Sequence, residues 1–436
     1  MTNQQDIPKS KFSRFSKASQ TALKVAGKHA LHIATTSIAS KEKKKQKQDQ
    51  HYESVAKEIF KTLSVLKGTA LKAAQLMSLE LELLPESFQK ELKKACYQVP
   101  PLNRALVRKV IQSQFEKPPE ALFKSFDGEA FAAASIGQVH KATLNTDDRV
   151  AVKIQYPGID KTIHHDIEML KLLLLKLPVP ELKKKKTLIS TFLAEYQERF
   201  LDEADYEKEA CHMTMFYDQN PFKNIRIPKP SAGYCSKTVL TMDYLEGYHL
   251  EEWLKKNPTQ KEKNQYAQQL WDFFVYFFMN HQLLHADPNP GNYLFMENGK
   301  LGVLDFGCIK KCDPRFPNQL ETLIKRHIQK NMKDVMDIYN EWGLLPKHLE
   351  KDSRKVEEHL TFFREWITLP YKSDTFDFGK HPDYMAKRFT PDFKNALNIL
   401  HNTTHNFVMY DRAYMGLLNI FQRLNAKVAI SFDIRS

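Results

Sequence analysis

Three polar side chains in the second half of the chain are spaced as a set that could do chemistry. Asp287 is followed by Asn292 five residues on, and Asp305 follows Asn292 by thirteen residues, in the tripeptide Asp-Phe-Gly. A phosphoryl group in transfer spreads negative charge over its oxygens, and Mg²⁺ bound by oxygen ligands neutralises that charge. The spacing therefore indicates phosphoryl transfer, with Asp287 as the catalytic Asp and with Asn292 and Asp305 as metal ligands.

Such a site also needs a cation that holds the α- and β-phosphates and an acid that orients the cation. Lys153 lies in a predicted strand, Val150-Ala-Val-Lys-Ile, directly after a predicted hairpin. Three nearby acids are candidate partners for it: Glu203, Asp205 and Glu209. Glu203 and Glu209 are six residues apart, so a single helix would point them to different faces. The residues alone leave the choice open.

The segment expected to cover the phosphates contains no glycine. It consists of Ala132, Ala133, Ala134 and Ser135, and the first glycine after it is Gly137. Glycine allows positive φ and a close approach of the backbone to phosphate, whereas alanine carries a Cβ atom. By propensity the alanines could form a helical turn, which would offer backbone N–H groups to the phosphates.

The catalytic loop departs from that of ordinary protein kinases, which place a lysine two residues after the catalytic Asp. Here this position is Asn289, between Pro288 and Pro290, which stiffen the loop but add no charge. No Ala-Pro-Glu sequence follows Asp-Phe-Gly. A segment that positions a peptide substrate is therefore not expected.

The positive charge is concentrated at the amino terminus. Of the formal charge of +13, +8 lies in the first fifty residues, which contain eleven Lys or Arg and three acids. A four-residue alanine repeat predicts a basic amphipathic helix over 9–40, and the run 40–50 predicts a flexible linker. The helix is interpreted as a membrane-surface helix, a docking helix, a helix packed on its own domain or an organellar transit peptide.

The composition disfavours several classes of protein. No run of 18 apolar residues occurs, so no transmembrane helix is expected. Residues 41–50 lack aromatics that would stack on bases, so no nucleic-acid partner is expected. Five scattered cysteines without a CxxC pair indicate buried thiols and a reducing compartment. Cys308 and Cys312 are interpreted as core thiols, with a redox pair or metal site as the alternative.

The order of the periodic segments predicts the fold class. Strand patterns between 121 and 155 and over 238–244 precede a mainly helical pattern from 247 onward, which is interrupted by a hairpin after the catalytic loop. We predict an α+β, two-lobed protein kinase-like fold with a small β-rich N-lobe, a large helical C-lobe and a helical N-terminal extension. The predicted domains are 1–50 (basic helix and linker), 51–118 (helical extension), 119–246 (N-lobe with inserted helices) and 247–436 (C-lobe).

Six motifs, in order along residues 53–312, resemble those of the UbiB-like (AarF) atypical kinases, a family linked to coenzyme Q and other prenyl-lipid metabolism. They are Lys72-Ala-Ala-Gln75, Ala132-Ala-Ala-Ser135-Ile-Gly-Gln-Val-His140, Val150-Ala-Val-Lys-Ile-Gln-Tyr-Pro-Gly158, Glu203-x-Asp205-Tyr-x-x-Glu209, Val239-Leu-Thr-Met-Asp-Tyr-Leu-Glu-Gly247, and His285 to Asn292.

The resemblance implies roles for these residues. Lys153 would pair with Glu209, and Lys72 would meet Glu203. Lys72 and Gln75 would lie on a helical extension that covers the region where a protein kinase binds its peptide, a regulatory role. The nucleotide would be held by Lys153 and by the residues of two further motifs: Ala132, Ala133, Ala134, Ser135, Met242 and Tyr244.

Two positions depart from the family pattern. The glycine of its KxGQ signature is Ala74 here, and the histidine of its catalytic loop is Asn289. Neither change removes a metal ligand, so the resemblance still implies binding of ATP (or ADP) and Mg²⁺.

The resemblance implies an atypical kinase or ATPase that supports ubiquinone (prenyl-quinone) biosynthesis at a membrane surface. The alternatives are a small-molecule kinase of the aminoglycoside or choline type and a nucleotide-gated, non-catalytic scaffold for lipid-biosynthetic enzymes. The expected partners are an anionic lipid surface, prenyl-quinone precursors or their biosynthetic enzymes, and a second copy of the chain in a homodimer. The expected location is cytoplasmic and peripheral to a membrane, or the mitochondrial matrix in a eukaryote.

Overall fold

The computed structural model describes residues 16, 20–21, 23–25, 27–32, 41–66, 102–134, 136–176, 186–393 and 405–433. The chain divides into two compact units, of which the first comprises Met1–Lys208 and Pro230–Asp243 and the second Glu209–Lys229 and Tyr244–Ser436. The predicted domain bounds stay predictions, and residues 209–229 group with the second unit. Backbone pairing explains this: Ile225 lies in a strand that pairs in parallel with a strand at Leu301.

The sheet of the first unit has the strand order β1-β3-β4-β6, and β2 also pairs with β3. All of its pairings are antiparallel. Its strands are β1 (Ser125–Phe126), β2 (Ala132–Ala133), β3 (Gly137–Thr143), β4 (Arg149–Gln155) and β6 (Val239–Asp243). The central strand β4 is buried from Val150 to Gln155, which explains its nearly continuous apolar sequence.

The first unit also contains helices. They are α1 (Lys41–Leu66), α2 (Arg104–Phe115), α3 (Pro119–Leu122), α4 (Ile159–Lys176), α5 (Lys186–Glu203) and the start of α6 (Tyr206–Gln219). Helix α2 contributes Val107, Val110 and Ile111 to a buried cluster with Val150 and Val152 of the sheet. Asn103 caps this helix by accepting a hydrogen bond from the backbone N–H of Leu106 at 2.9 Å.

The flexible linker predicted over residues 40–50 is wrong, because helix α1 begins at Lys41. Burial on the later turns of the helix explains the difference, since Val55, Ile59 and Leu63 are at most 2% exposed. Packing of these side chains stabilises the helix, whereas the charged sequence of its first turns does not predict one.

The amino-terminal helical segment, which we define as residues 20–21, 23–25 and 27–32, packs against α1. Val25 is fully buried, and the hydroxyls of Thr21 and Thr62 lie 2.6 Å apart. Lys24 and Lys28 form ion pairs with Glu58 at 3.4 and 3.5 Å. Of the four readings of the basic helix, packing on its own domain describes this segment.

The second unit is mainly helical. After the end of α6 it contains α7 (Leu250–Leu254), α8 (Gln260–His281), α9 (Phe316–Ile328), α10 (Met332–Glu341), α11 (Ser353–Thr368) and α12 (His405–Leu424). Its strands are β5 (Ile225–Arg226), β7 (Leu283–His285), β8 (Tyr293–Phe295), β9 (Leu301–Val303), β10 (Ile309–Lys311), β11 (Phe376–Asp377) and β12 (Lys427–Val428). The predicted β8–β9 hairpin is confirmed, and Gly299 supplies the positive φ of 72° in its turn.

Helix α8 forms the centre of the second unit. The side chains of Trp271, Phe273, Phe274, Phe277 and Phe278 are at most 4% exposed. The apolar stretch that the sequence shows before the catalytic loop is thus a core helix. Among the helices that the structure describes, none is long and apolar enough to cross a membrane.

None of the cysteines that the structure describes forms a disulfide bond. Cys308 and Cys312 are buried, as the core interpretation predicted. Burial and the charge of Asp313 raise the pKa of the Cys312 thiol to about 12. A thiol with such a pKa is protonated and unreactive at neutral pH.

The contact between the amino-terminal segment and α1 contains three histidines. The His29 Nδ1 and His51 Nε2 atoms lie 3.1 Å apart, and the rings of His32 and His51 stack at 4.3 Å between centroids. Burial, followed by the charges of the neighbouring histidines and Lys28, lowers the pKa of His51 from 6.5 to about 4.

We therefore expect this contact to weaken on acidification. Between pH 6.5 and 4 the separated helices bind more protons than the packed ones, so the contribution of His51 is complete above pH 6.5 and is lost as the pH falls towards 4. Amide hydrogen exchange of the amino-terminal segment, corrected for intrinsic rates, should show protection falling over this range. His51→Gln should flatten the dependence, and an unchanged dependence in this variant would contradict the assignment.

Candidate active site

The catalytic loop is closed by the side-chain amide of Asn292. Its Nδ2 donates hydrogen bonds to the carbonyl oxygen of Asp287 at 2.9 Å and to Oδ2 of the same residue at 3.0 Å. Both hydrogen bonds use Nδ2. The other polar atom of the side chain, the amide oxygen Oδ1, has the chemistry of a cation ligand. The structure thus joins two of the three residues that the sequence predicts.

The Asp-Phe-Gly turn lies beside this loop. The backbone N–H of Leu304 donates to the carbonyl oxygen of Asn292 at 2.9 Å. His285 Nε2 donates to the carbonyl oxygen of Asp305 at 2.6 Å. Within the turn, the N–H of Gly307 donates to Asp305 Oδ1 at 3.0 Å, which fixes the carboxylate. All three predicted residues of the second unit therefore lie on neighbouring stretches of backbone.

A short antiparallel ladder holds the start of the loop beside the segment that follows the turn. Strand β7, which leads into the loop, pairs with β10, which follows the turn, and His285 lies opposite Ile309. The N–H of Ala286 continues this pairing by donating to the carbonyl oxygen of Cys308 at 2.9 Å.

Beyond the loop, burial and the charge of Asp287 raise the pKa of the Tyr293 hydroxyl far above its ordinary value. This hydroxyl therefore stays neutral.

The donor set fits a hard divalent cation. Asp287, Asn292 and Asp305 offer carboxylate and amide oxygens, and each is half-buried. Mg²⁺ is commonly bound by one or two carboxylates together with water and substrate phosphates. Asn289, where other kinases carry lysine, is exposed and accepts a hydrogen bond from the N–H of Gly291 at 2.9 Å. This residue therefore caps the short 3₁₀ turn of the loop.

Lys153 occupies the centre of the sheet in the first unit. It lies on β4, opposite Val139 of β3 and Leu240 of β6, and is 7% exposed. Its ammonium group lies 4.9 Å from the centroid of the Tyr206 ring, a cation–π contact that orients the side chain. Lysine is rarely buried this deeply unless its charge has a partner. The nucleotide-binding role of Lys153 stays a prediction.

The three candidate partners of Lys153 do not share one helix. Helix α5 ends at Glu203, and α6 begins at Tyr206. The single-helix argument is therefore wrong, and the break has a local cause: Asp205 Oδ1 accepts the N–H of Lys208 at 3.0 Å and caps α6. Glu203 and Glu209 are 8% and 2% exposed. The pairing of Glu209 with Lys153 stays a prediction.

The helical turn suggested for the alanine segment is wrong. Ala132 and Ala133 form strand β2, paired with Val139 and Gln138 of β3. The N–H of Ala134 donates to the carbonyl oxygen of Gly137 at 3.0 Å. Pairing with a long strand outweighs the helix propensity of alanine, which is a weak preference.

The remaining predicted nucleotide residues have simple placements. Met242 lies on β6, opposite Ala151, and is buried, while the half-buried Tyr244 directly follows that strand. Ser135, Lys72 and Gln75 lie outside the described residues, so their roles stay predictions.

Sequence reasoning missed Gly416. This glycine lies in helix α12, and a Cβ atom built on it would overlap the ring of Pro288 in the catalytic loop, 2.9 Å from the proline Cβ. Glycine inside a helix costs about 1 kcal/mol relative to alanine. An isolated glycine in a helical pattern is therefore a signal for close packing, and it was available in the sequence.

Comparison with known proteins places the chain in a family. The family model of the ABC1 atypical kinase-like domain matches residues 94–339, more than half of the chain. The chain belongs to the ABC1 atypical kinase-like family. The match includes Lys153, Asp287, Asn292 and Asp305, and it confirms the resemblance that the sequence motifs indicated.

Curated relatives of the ABC1 chain carry related names. An uncharacterized chloroplastic aarF domain-containing protein kinase of Arabidopsis thaliana is 28% identical over 368 residues, 81% of this chain and 51% of the relative. An ABC1 family protein of Schizosaccharomyces pombe is 26% identical over 313 residues, 70% of this chain and 58% of the relative. The chain spans about half the length of the curated relatives it matches.

A solved structure is similar over most of the chain. It is a Mycobacterium tuberculosis protein in complex with erythromycin, with a TM-score of 0.58 and 24% identity, and the match covers 89% of this chain and 96% of that one. The similarity concerns the fold. Together with the family match, it confirms the predicted α+β, two-lobed kinase-like fold.

We expect Gly416→Ala to impair the catalytic loop. The added methyl group would push Pro288 away from α12, and with it the adjacent Asp287. Nucleotide-dependent activity should fall about tenfold or more, since small displacements of a catalytic group are costly. The matched control is Gly27→Ala, because Gly27 is also helical and has nothing within 4 Å of its added Cβ. Equal activity of the two variants would contradict the packing argument.

Proposed function

We propose that this ABC1-family protein is an Mg²⁺-nucleotide-dependent atypical kinase or ATPase that supports ubiquinone (prenyl-quinone) biosynthesis at a membrane surface. The observation that carries the proposal is the oxygen donor set of Asp287, Asn292 and Asp305, held on paired backbone within the second unit. Membership of a kinase-like family supports the same reading.

Each residue has a physical task in this proposal. Bound Mg²⁺–ATP supplies the phosphoryl group and the cation that neutralises its charge. Asn292 and Asp305 would hold the cation through their oxygen atoms, and Lys153 would hold the α- and β-phosphates. Asp287 orients the attacking hydroxyl or water and accepts its proton. The Asn292 amide, bonded to the carboxylate of Asp287, fixes the direction in which that carboxylate faces.

The segment after the Asp-Phe-Gly turn supports an acceptor other than a peptide. Strand β10 begins at Ile309, two residues after Gly307, and α9 begins at Phe316. Most of this short connection is tied to β7, and the N–H of Cys312 also donates to the carbonyl oxygen of Gln282 at 2.8 Å. A tethered stretch of this length offers little backbone to a peptide. We propose a small hydroxylated acceptor, such as a phenolic prenyl-quinone precursor, or water.

The membrane part of the proposal is supported by the outer face of the amino-terminal helical segment. While Thr21 and Val25 are buried, Leu23 and Leu31 are 74% and 67% exposed. Exposed leucines on a basic helix suit the surface of an anionic bilayer, where apolar side chains enter the acyl boundary and lysines meet headgroups. Packing against α1 and contact with a membrane use opposite faces of this segment.

The metal role is tested by Asp305→Asn. We expect wild-type protein to be stabilised against heat by ATP or ADP with Mg²⁺ and to hydrolyse ATP faster with lipid vesicles and quinone-precursor phenols. The variant should lose the Mg²⁺-dependent stabilisation, because an amide is a weaker cation ligand than a carboxylate. Thermal shift and phosphate release measure the two effects.

The matched control is Asp374→Asn, which removes an exposed carboxylate elsewhere in the second unit. It should behave as wild type. Equal stabilisation of the Asp305 variant and its control would contradict the metal role. Stabilisation without any turnover would instead favour a nucleotide-gated scaffold.

Membrane binding is tested by Leu23→Glu. The exposed leucine contributes apolar area only in the bound state, so the substitution should reduce co-sedimentation with anionic vesicles about tenfold and leave thermal stability unchanged. Ile328→Glu is the control, since Ile328 is an exposed apolar residue on α9. Vesicle binding that is equal in the two variants would exclude this face as the contact.

A further inference from the structure

Helix α6 carries a polar side chain, His212, that reaches the Asp-Phe-Gly turn. His212 lies three residues after Glu209, and its Nδ1 atom lies 3.2 Å from the carbonyl oxygen of Phe306. A carbonyl oxygen only accepts hydrogen bonds, so Nδ1 is the donor. The bond joins α6 to the residue that directly follows Asp305.

The peptide that His212 contacts also holds the predicted metal ligand. The carbonyl group of Phe306 and the N–H of Gly307 belong to one rigid, planar peptide unit. Its carbonyl accepts from His212, and its N–H donates to Asp305 Oδ1 at 3.0 Å. A change in the orientation of this peptide therefore rotates the N–H that fixes the carboxylate.

The carbonyl group of Asp305 also accepts a hydrogen bond from a histidine ring. His285 Nε2 donates to the carbonyl oxygen of Asp305 at 2.6 Å, so two imidazoles bind two consecutive carbonyl groups of the turn. The Phe306 ring is fully buried, and Phe216, one turn after His212 on α6, packs on it with 5.1 Å between centroids. Helix α6 thus holds the turn by one polar and one apolar contact.

We propose that His212 is a positioning residue for the metal site, which acts through the Phe306–Gly307 peptide on the carboxylate of Asp305. Hydrogen bonds in such a chain polarise and strengthen one another. The inference rests on the proposed function insofar as Asp305 binds Mg²⁺. Its geometry stands on the contacts of the turn itself.

The test compares His212→Asn with His212→Leu. Asparagine places an N–H donor near the position of Nδ1, whereas leucine has a similar shape and no donor. The Mg²⁺ concentration that gives half-maximal nucleotide stabilisation should rise about fivefold in the leucine variant, the effect expected for one net hydrogen bond. It should return to within about twofold of wild type in the asparagine variant.

Hydrogen exchange of the Gly307 amide, measured without nucleotide or metal, is an independent readout. Exchange should quicken about fivefold in the leucine variant and be nearly restored in the asparagine variant. His359→Leu is the matched control, because His359 Nδ1 also bonds a backbone carbonyl oxygen, that of Lys355 at 2.7 Å. The control should change neither measurement.

The outcomes separate the inference from the proposed function. If wild-type protein shows no Mg²⁺-dependent stabilisation, the proposed function fails, and the Gly307 exchange still tests the role of His212. If the leucine variant keeps both the Gly307 protection and the wild-type Mg²⁺ midpoint, the inference is overturned. Equal loss of thermal stability in the asparagine and leucine variants with an unchanged Mg²⁺ midpoint would show that His212 only packs, which also overturns it.

Discussion

The candidate site depends on one constraint, the antiparallel pairing of β7 with β10. Strand β7 leads into the catalytic loop and β10 follows the Asp-Phe-Gly turn, so their pairing brings the loop beside the turn. Several polar contacts of the site lie directly beside that pairing. It places His285 on the carbonyl group of Asp305, and Asn292 then bonds Asp287 across the loop. A cation site of oxygen ligands needs such fixed backbone, because its side chains are short and its ligands repel one another before a metal binds.

Buried aromatic residues give this pairing its rigidity. Helix α8 supplies a row of phenylalanines, and Phe277 lies 4.1 Å from Phe216 between ring centroids. Phe216 in turn packs on Phe306, the central residue of the turn. The catalytic loop is supported from another direction by Gly416, whose missing side chain leaves room for Pro288. Hydrogen bonds orient the groups of the site, and close apolar packing restricts movement of the backbone that carries them.

The first unit contains a buried lysine in the middle of its sheet. Lys153 lies on the central strand with neighbours on both sides, and Tyr206 offers its ring to the ammonium group. Desolvation of a cation is costly unless the charge is compensated. The cation–π contact with Tyr206 offsets part of this cost. The alanines of β2 extend the same sheet by pairing with β3.

The sequence by itself determined the family, the candidate residues of the site and the order of the elements. Asp287, Asn292, Asp305 and Lys153 are identified by type and spacing, because phosphoryl transfer needs oxygen ligands and a cation at set intervals. Only the tertiary structure decided the local conformation around them. Strand pairing made the alanines extended, and capping by Asp205 separated Glu203 from Glu209. Burial on the later turns of α1 made the predicted linker part of that helix. Contacts between residues far apart in the chain, such as His212 with Phe306, leave no periodic signal, since they arise only when packing brings their elements together.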